Sequence, residues 1–212
     1  MYVPEHFNAP STDAMLELIR QHPLGILFIN GSSGLDANHI PFELAAEQQA
    51  LGTLQAHVAR NNPVWTEVRN GDEVLVVFRG EESYISPNWY PSKQEHHMQV
   101  PSWNYKVVHV HGRITVRDDE RYVRGLVARL TRTHEASEPK QWKMTDAPAE
   151  YIASMMQAIV GIEIEITRLT GKFKLSQNKD AEDVRSAAAT LIERGRGALG
   201  ESMRRITLDQ KD

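Results

Sequence analysis

Residues 100–116, VPSWNYKVVHVHGRITV, read as one long β-strand whose two faces disagree. Val108, Val110, Ile114 and Val116 make an apolar face, because side chains two apart share a side of a strand. The other face carries Trp103, Tyr105, Val107, His109, His111, Arg113 and Thr115. Aromatic rings offer flat apolar area, while imidazole and guanidinium offer proton-transfer and anion-binding groups. A face meant only for water rarely carries that set, so a ligand or a partner surface is expected there.

Two further clusters could seat an anion. In HVARNNPVW (57–65) a strand ends at His57, Arg60, Asn61 and Asn62 follow, and Pro63 opens a short helix. A basic residue beside a fresh helix N-terminus favours phosphate, since free amides and guanidinium both attract it. FKLSQNK (173–179) places Lys174, Ser176, Gln177 and Lys179 directly after a strand. Other motifs carry less. Gly195, Gly197 and Gly200 spell G-x-G-x-x-G but follow a helical pattern, so a helix break is expected there. His109 and His111 could chelate, yet no H-E-x-x-H and no suitably spaced carboxylate completes a metal site, and none is expected. With no serine nucleophile elbow, no catalytic side chain is assigned, and redox chemistry would need a borrowed cofactor.

These residues need elements to hold them. STDAMLELIRQHP reads as a capped helix stopped by Pro23, LGILFIN (24–30) as a strand and NGSSG as its turn. ANHIPFEL (37–44) alternates but contains Pro41, which argues for an edge or a bulge. LGTLQAHV (51–58) alternates too. EVLVVFRG (73–80), apolar on both faces, reads as the most buried strand. Helices are expected over 118–135 and 145–159, the second capped by Asp146, with GIEIEITRL (161–169) a strand and 180–207 two helices broken at GRG. Connections too short for parallel crossovers predict an antiparallel sheet or barrel with helices to one side, an α+β arrangement that is mainly β.

Composition narrows the function classes. With 24 Lys/Arg against 28 Asp/Glu the net charge is −4, which gives no basic footprint for nucleic acid or an anionic membrane. The absence of cysteine removes disulfides and thiolate sites and fits a reducing cytoplasm. The apolar runs LGILFI and VLVVF fall far short of the ~18 residues of a membrane span, and no leader-like start is read.

Five motifs in order, MYVPEHF, HVARNNPVW, YISPNWY, VPSWNYKVVHVHG and FKLSQNK, resemble the PaiB-like family of FMN-binding negative transcriptional regulators. The resemblance implies an antiparallel six-stranded split β-barrel of the pyridoxamine-phosphate-oxidase type, with peripheral helices. It spans residues 1–180, and 181–212 are expected to form a helical extension packed on the barrel or its partner. It implies a homodimer binding FMN, or a similar flat anionic ligand, in the groove between subunits. His57, Arg60 and Asn61 would lie near the phosphate. Trp103, Asn104, Tyr105 and His109 would face the ring, and Lys174, Ser176 and Gln177 would close the site.

One departure matters. Where the wider oxidase group carries a lysine and an arginine toward the phosphate, Asn62 and the NHIPFEL stretch with Glu43 stand here. Each lost charge-assisted contact would weaken binding by about 1.5–3 kcal/mol. The activity implied is a flavin-dependent oxidoreductase or a flavin-linked regulator. Two alternatives stay open: a repressor binding DNA through its C-terminal helices, and a haem-binding barrel. Residues 180–212 hold six Lys/Arg against seven Asp/Glu, so a basic DNA-reading face is not evident there.

Overall fold

The structure is a computed structural model that describes residues 1–32, 34–45 and 51–209. Ser33 of the expected NGSSG turn and residues 210–212 of the expected C-terminal extension lie outside the described residues. Seven strands form one sheet: β1 (Leu24–Gly31), β2 (Gly34–Pro41), β3 (Glu43–Ala45), β4 (Thr53–Ala59), β5 (Glu73–Ile85), β6 (Ser102–Arg117) and β7 (Ile159–Lys174), in the order β2-β1-β5-β6-β7-β4-β3. The described pairings β1–β2, β1–β5, β3–β4 and β4–β7 are all antiparallel.

The strand count is seven rather than six because the alternating run 37–44 breaks at Pro41. Pro41 ends β2 opposite Leu24, and the chain resumes in β3, which pairs with β4 instead. Proline lacks the N–H that a continuing ladder needs. β5 alternates between core positions (Val74, Val76 and Phe78) and half-buried ones (Leu75 and Val77), so it is buried on one face more than the other. It also continues through ESYI and ends at Ile85.

Contacts divide the chain into two compact units. One comprises Met1–Gln21, Arg79–His109 and the described residues from Thr170; the other comprises His22–Phe78 and Val110–Leu169. In the first, helix α1 (Thr12–Gln21) starts where the Ser11 hydroxyl accepts from the Ala14 amide at 3.1 Å. It buries Leu18 and Ile19. Helices α6 (Ala181–Glu193) and α7 (Gly197–Asp209) flank the predicted GRG break, and Gly200 lies against Ile192 and the Ala188 carbonyl. Val184, Ala187, Leu191, Leu199 and Met203 supply their buried side. A short helix, α3 (Ser92–His96), lies between β5 and β6.

In the second unit a four-residue helix, α2 (Val64–Glu67), follows Pro63. Helix α4 (Glu120–Glu135) is capped by Asp119, whose carboxylate accepts from the Tyr122 amide at 2.7 Å. Helix α5 (Ala149–Gln157) packs on α4 through Val123, Ile152 and Met156. Asp146 does not cap α5. It closes the preceding single turn by accepting from the Lys143 amide at 3.0 Å, because Pro148 occupies the cap position of the helix itself.

Gly112 of β6 lies close against β7. A Cβ there would lie 2.5 Å from the Glu165 carbonyl oxygen and 2.5 Å from Ile164 Cγ2. A backbone atom in a sheet ladder cannot swing away, so Gly112→Ala should cost about 1–3 kcal/mol. Gly197→Ala, where nothing lies within 4 Å, should stay within about 0.5 kcal/mol. Urea denaturation of the two variants checks the contrast.

Candidate functional site

The sequence-expected site residues fall into two groups. His57, Arg60 and Asn61 belong to the second unit; Trp103, Asn104, Tyr105, His109, Lys174, Ser176 and Gln177 belong to the first.

In the second unit Arg60 is engaged on every side but one. Its Nε donates to the Gln157 carbonyl at 2.7 Å, and its terminal nitrogens donate to both Asp118 oxygens at 2.9 and 2.6 Å and to the Ile159 carbonyl at 3.2 Å. The guanidinium also lies over Trp65, whose indole N–H donates to the Arg60 carbonyl. Four of its five donors are therefore used. The Arg60 hydrogen bond holds the Asp118 carboxyl below its usual range, so the pair is ionised at neutral pH. A phosphate would have to displace Asp118. Arg60 here joins the end of β4 to the start of α4 and the end of α5.

The neighbouring polar residues are similarly occupied. The Asn62 side chain donates to Asn38 at 2.8 Å and accepts from the Val64 amide at 2.9 Å, fastening β2 to the α2 turn. Glu43 pairs with Arg129 of α4 at 2.9 Å, so its charge is answered locally. Asn61 is exposed. His57 is half-buried, and burial lowers its pKa, so the ring is neutral at pH 7. Its Nδ1 is shielded and has no hydrogen-bond partner among the described residues.

In the first unit β6 displays the two faces expected of it. Trp103 is exposed, edge-on to Tyr84 with centroids 6.3 Å apart, and Tyr105, Val107 and His109 are half-buried. Asn104 points to the other side and is 1% exposed. Its amide donates to Ser176 Oγ at 2.9 Å and toward Met203 Sδ, while Tyr90 meets the same hydroxyl at 3.1 Å. Ser176 itself has a φ of 68°, a left-handed conformation that such convergent bonding supports. Asn104 and Ser176 thus brace the turn after β7 from within.

The residue that spacing alone did not single out is Lys172. It shares a strand face with Lys174, and its ammonium lies 5.7, 5.9 and 5.6 Å from the ring centroids of Tyr2, Phe7 and Tyr105. Lys174 lies 5.9 Å from Phe7 and donates to Ser102. Neither lysine forms an ion pair with a carboxylate among the described residues. Burial, and then the charge of Lys172, push the Lys174 pKa down. Two like charges on an aromatic bed with no counter-charge make a site that an anion would relieve. The visible signal was GKFK, whose two lysines are two apart on a strand.

A family model described as "Putative FMN-binding domain" matches residues 1–168. The chain belongs to this family. Among curated relatives, an uncharacterised protein of Emericella nidulans is 33% identical, the match covering 86% of this chain and 87% of that one. The protease synthase and sporulation protein PAI 2 of Bacillus subtilis is 25% identical, covering 86% and 85%. Among solved structures, the flavocytochrome Anf3 of Azotobacter vinelandii aligns with TM-score 0.58 at 10% identity, over 81% of this chain and 72% of that chain. An FAD and heme binding protein of Mycobacterium smegmatis aligns with TM-score 0.56 at 14% identity, over 79% and 73%. The fold is therefore the mainly antiparallel split-barrel type with peripheral helices.

The flavin named by this FMN-binding family suits the first unit's cluster in kind: exposed aromatic area for a flat ring and an unanswered pair of ammonium groups for a phosphate. The segment 91–102 is pinned through α6. Asp183, 1% exposed, accepts from the Ser92 amide at 3.0 Å and its hydroxyl at 2.5 Å. Gln99 donates to both Ser92 and Asp183, and Lys179 donates to Gln99 at 2.6 Å. Asp183→Ala leaves the Ser92 amide without its acceptor. It should cost about 1–3 kcal/mol and speed amide hydrogen exchange across 91–102. Unchanged exchange there would show that the segment is held some other way.

Proposed function

We propose that this protein is an FMN-binding redox protein that works as a cytoplasmic homodimer, with the flavin seated on the Lys172–Lys174 face of the first unit. The observation that carries the reading is the paired, uncompensated lysines set among Tyr2, Phe7 and Tyr105. The family supplies the cofactor class, and relatives described as flavin-binding support it at the level of fold.

Each residue then has a task. Lys172 and Lys174 hold the phosphate as ammonium groups, and Tyr105 and Trp103 give flat area to the ring or the second subunit. Gln177 fixes the turn: its side chain accepts from the Leu175 amide at 2.7 Å and donates to the Phe173 carbonyl. Bound FMN would supply electron transfer, while the chain orients it and excludes water. Support for a second copy comes from Tyr84, Met98, Val100 and Trp103, large apolar side chains exposed on this unit. Arg60, held by Asp118, acts on this reading as a structural clamp.

The test is fluorescence titration of the purified protein with FMN, alongside its visible spectrum as isolated. Lys172→Ala and Lys174→Ala should each weaken FMN binding roughly 10- to 100-fold, the effect of losing one charge-assisted contact. The pH dependence follows from the direction of the Lys174 shift. Affinity should be full while Lys174 is protonated and should fall as pH rises through its depressed pKa, below the usual lysine range. Lys174→Ala should abolish that limb. Unchanged affinity in the double variant would overturn this placement of the phosphate.

A further inference from the structure

On the opposite face of the same two strands the first unit holds a separate cavity of about 380 Å³. Phe173 and Leu175 supply apolar wall; Lys106, Ser202 and Arg205 supply polar groups around it. Phe173 lies between Lys172 and Lys174 in sequence, so its side chain points away from theirs. The cavity is therefore not the lysine-pair face.

Its charge is specific. Lys106 is largely buried and paired with Glu81 at 2.6 Å, with Ser202 Oγ 3.3 Å from its ammonium and the Phe173 ring centroid 5.9 Å away. That cation is already neutralised. Arg205 is exposed on α7 and has no ion-pair partner among the described residues, since the adjacent Arg204 is the one that pairs with Glu201. Among the described residues no carboxylate lines the cavity, so its wall carries about one unanswered positive charge, that of Arg205.

From this we infer that the cavity is a binding site for a small carboxylic acid with an apolar body. Its carboxylate would be taken by the Arg205 fork and the Ser202 hydroxyl, and its body would lie on Phe173 and Leu175. A single planar guanidinium matches a carboxylate in bidentate geometry. A phosphate dianion would leave charge unanswered beside the Glu81–Lys106 pair. The volume is in the range of small-molecule sites, and mixed apolar walls with a few convergent polar groups are their usual make-up.

The experiment is isothermal titration calorimetry of the full chain with octanoate, benzoate, octanol and inorganic phosphate. Saturable binding of octanoate or benzoate is expected, at least tenfold tighter than octanol, with no binding of phosphate. Arg205→Ala should weaken the carboxylate tenfold or more, and Arg205→Glu should abolish it; both change an exposed helical side chain, and unaltered thermal melting confirms that the variants fold. FMN titration of the same variants should be unchanged, which separates this site from the lysine-pair face. Failure of both carboxylates to bind, equal binding of octanol or of phosphate, or carboxylate binding indifferent to both Arg205 variants would overturn the inference.

Discussion

The two-residue period of a β-strand is the constraint from which the chemistry of this protein follows. On β6 it sends Val108, Val110 and Ile114 into the interior, where each is fully buried, and turns Trp103, Tyr105 and His109 the other way. On β7 it separates Phe173 from Lys172 and Lys174. A charged side chain on the interior side must bring a partner, because removal from water is costly unless a counter-charge is present. Lys106, on the core-side parity of β6, accordingly meets Glu81. Lys172 and Lys174, on the other parity, are half-buried and have no ion-pair partner among the described residues.

That contrast sorts cations into those answered by a carboxylate and those left without one better than residue type does. Arg60 has the chemistry of a phosphate binder, but Asp118 and two main-chain carbonyls already satisfy it. Its removal would strand those acceptors as well as a charge. Arg129 is likewise tied to Glu43 and Gln55. Among the described residues the lysine pair meets aromatic rings, a hydroxyl and a carbonyl but no carboxylate. Cation–π contacts soften the cost of leaving an ammonium without a carboxylate while keeping its hydrogens free to rotate toward a new acceptor.

What could be read from the chain alone follows the same division between local and distant. Strand alternation, the Pro23 stop, the Pro41 break and the glycine break between α6 and α7 are local events, visible within a few residues. The partners of Arg60 lie at positions 118, 157 and 159, and no spacing rule connects position 60 to them. Asn104 sat in the right motif, yet its parity on β6 places it with the core side, where it braces Ser176 instead of meeting solvent. Lys172 was hidden for the opposite reason. Its meaning lies in Tyr2 and Phe7, about 165 residues away in sequence, and in a repulsion with Lys174 that exists only once the strand is formed.

The two candidate binding faces share a support, and this explains why the turn after β7 is so heavily bonded. Phe7 borders the lysine pair, while Phe173 and Leu175 border the cavity beneath. Between them the chain must leave β7 and enter α6 without shifting either set of side chains. It does so through Ser176 in a left-handed conformation, held by Asn104 and Tyr90, and through Gln177, which satisfies the backbone at 173 and 175 together. A residue at positive φ relaxes unless its surroundings over-determine it. Here buried polar side chains supply that surplus of constraint, so the KLSQ segment serves both faces by being the rigid piece from which each is built.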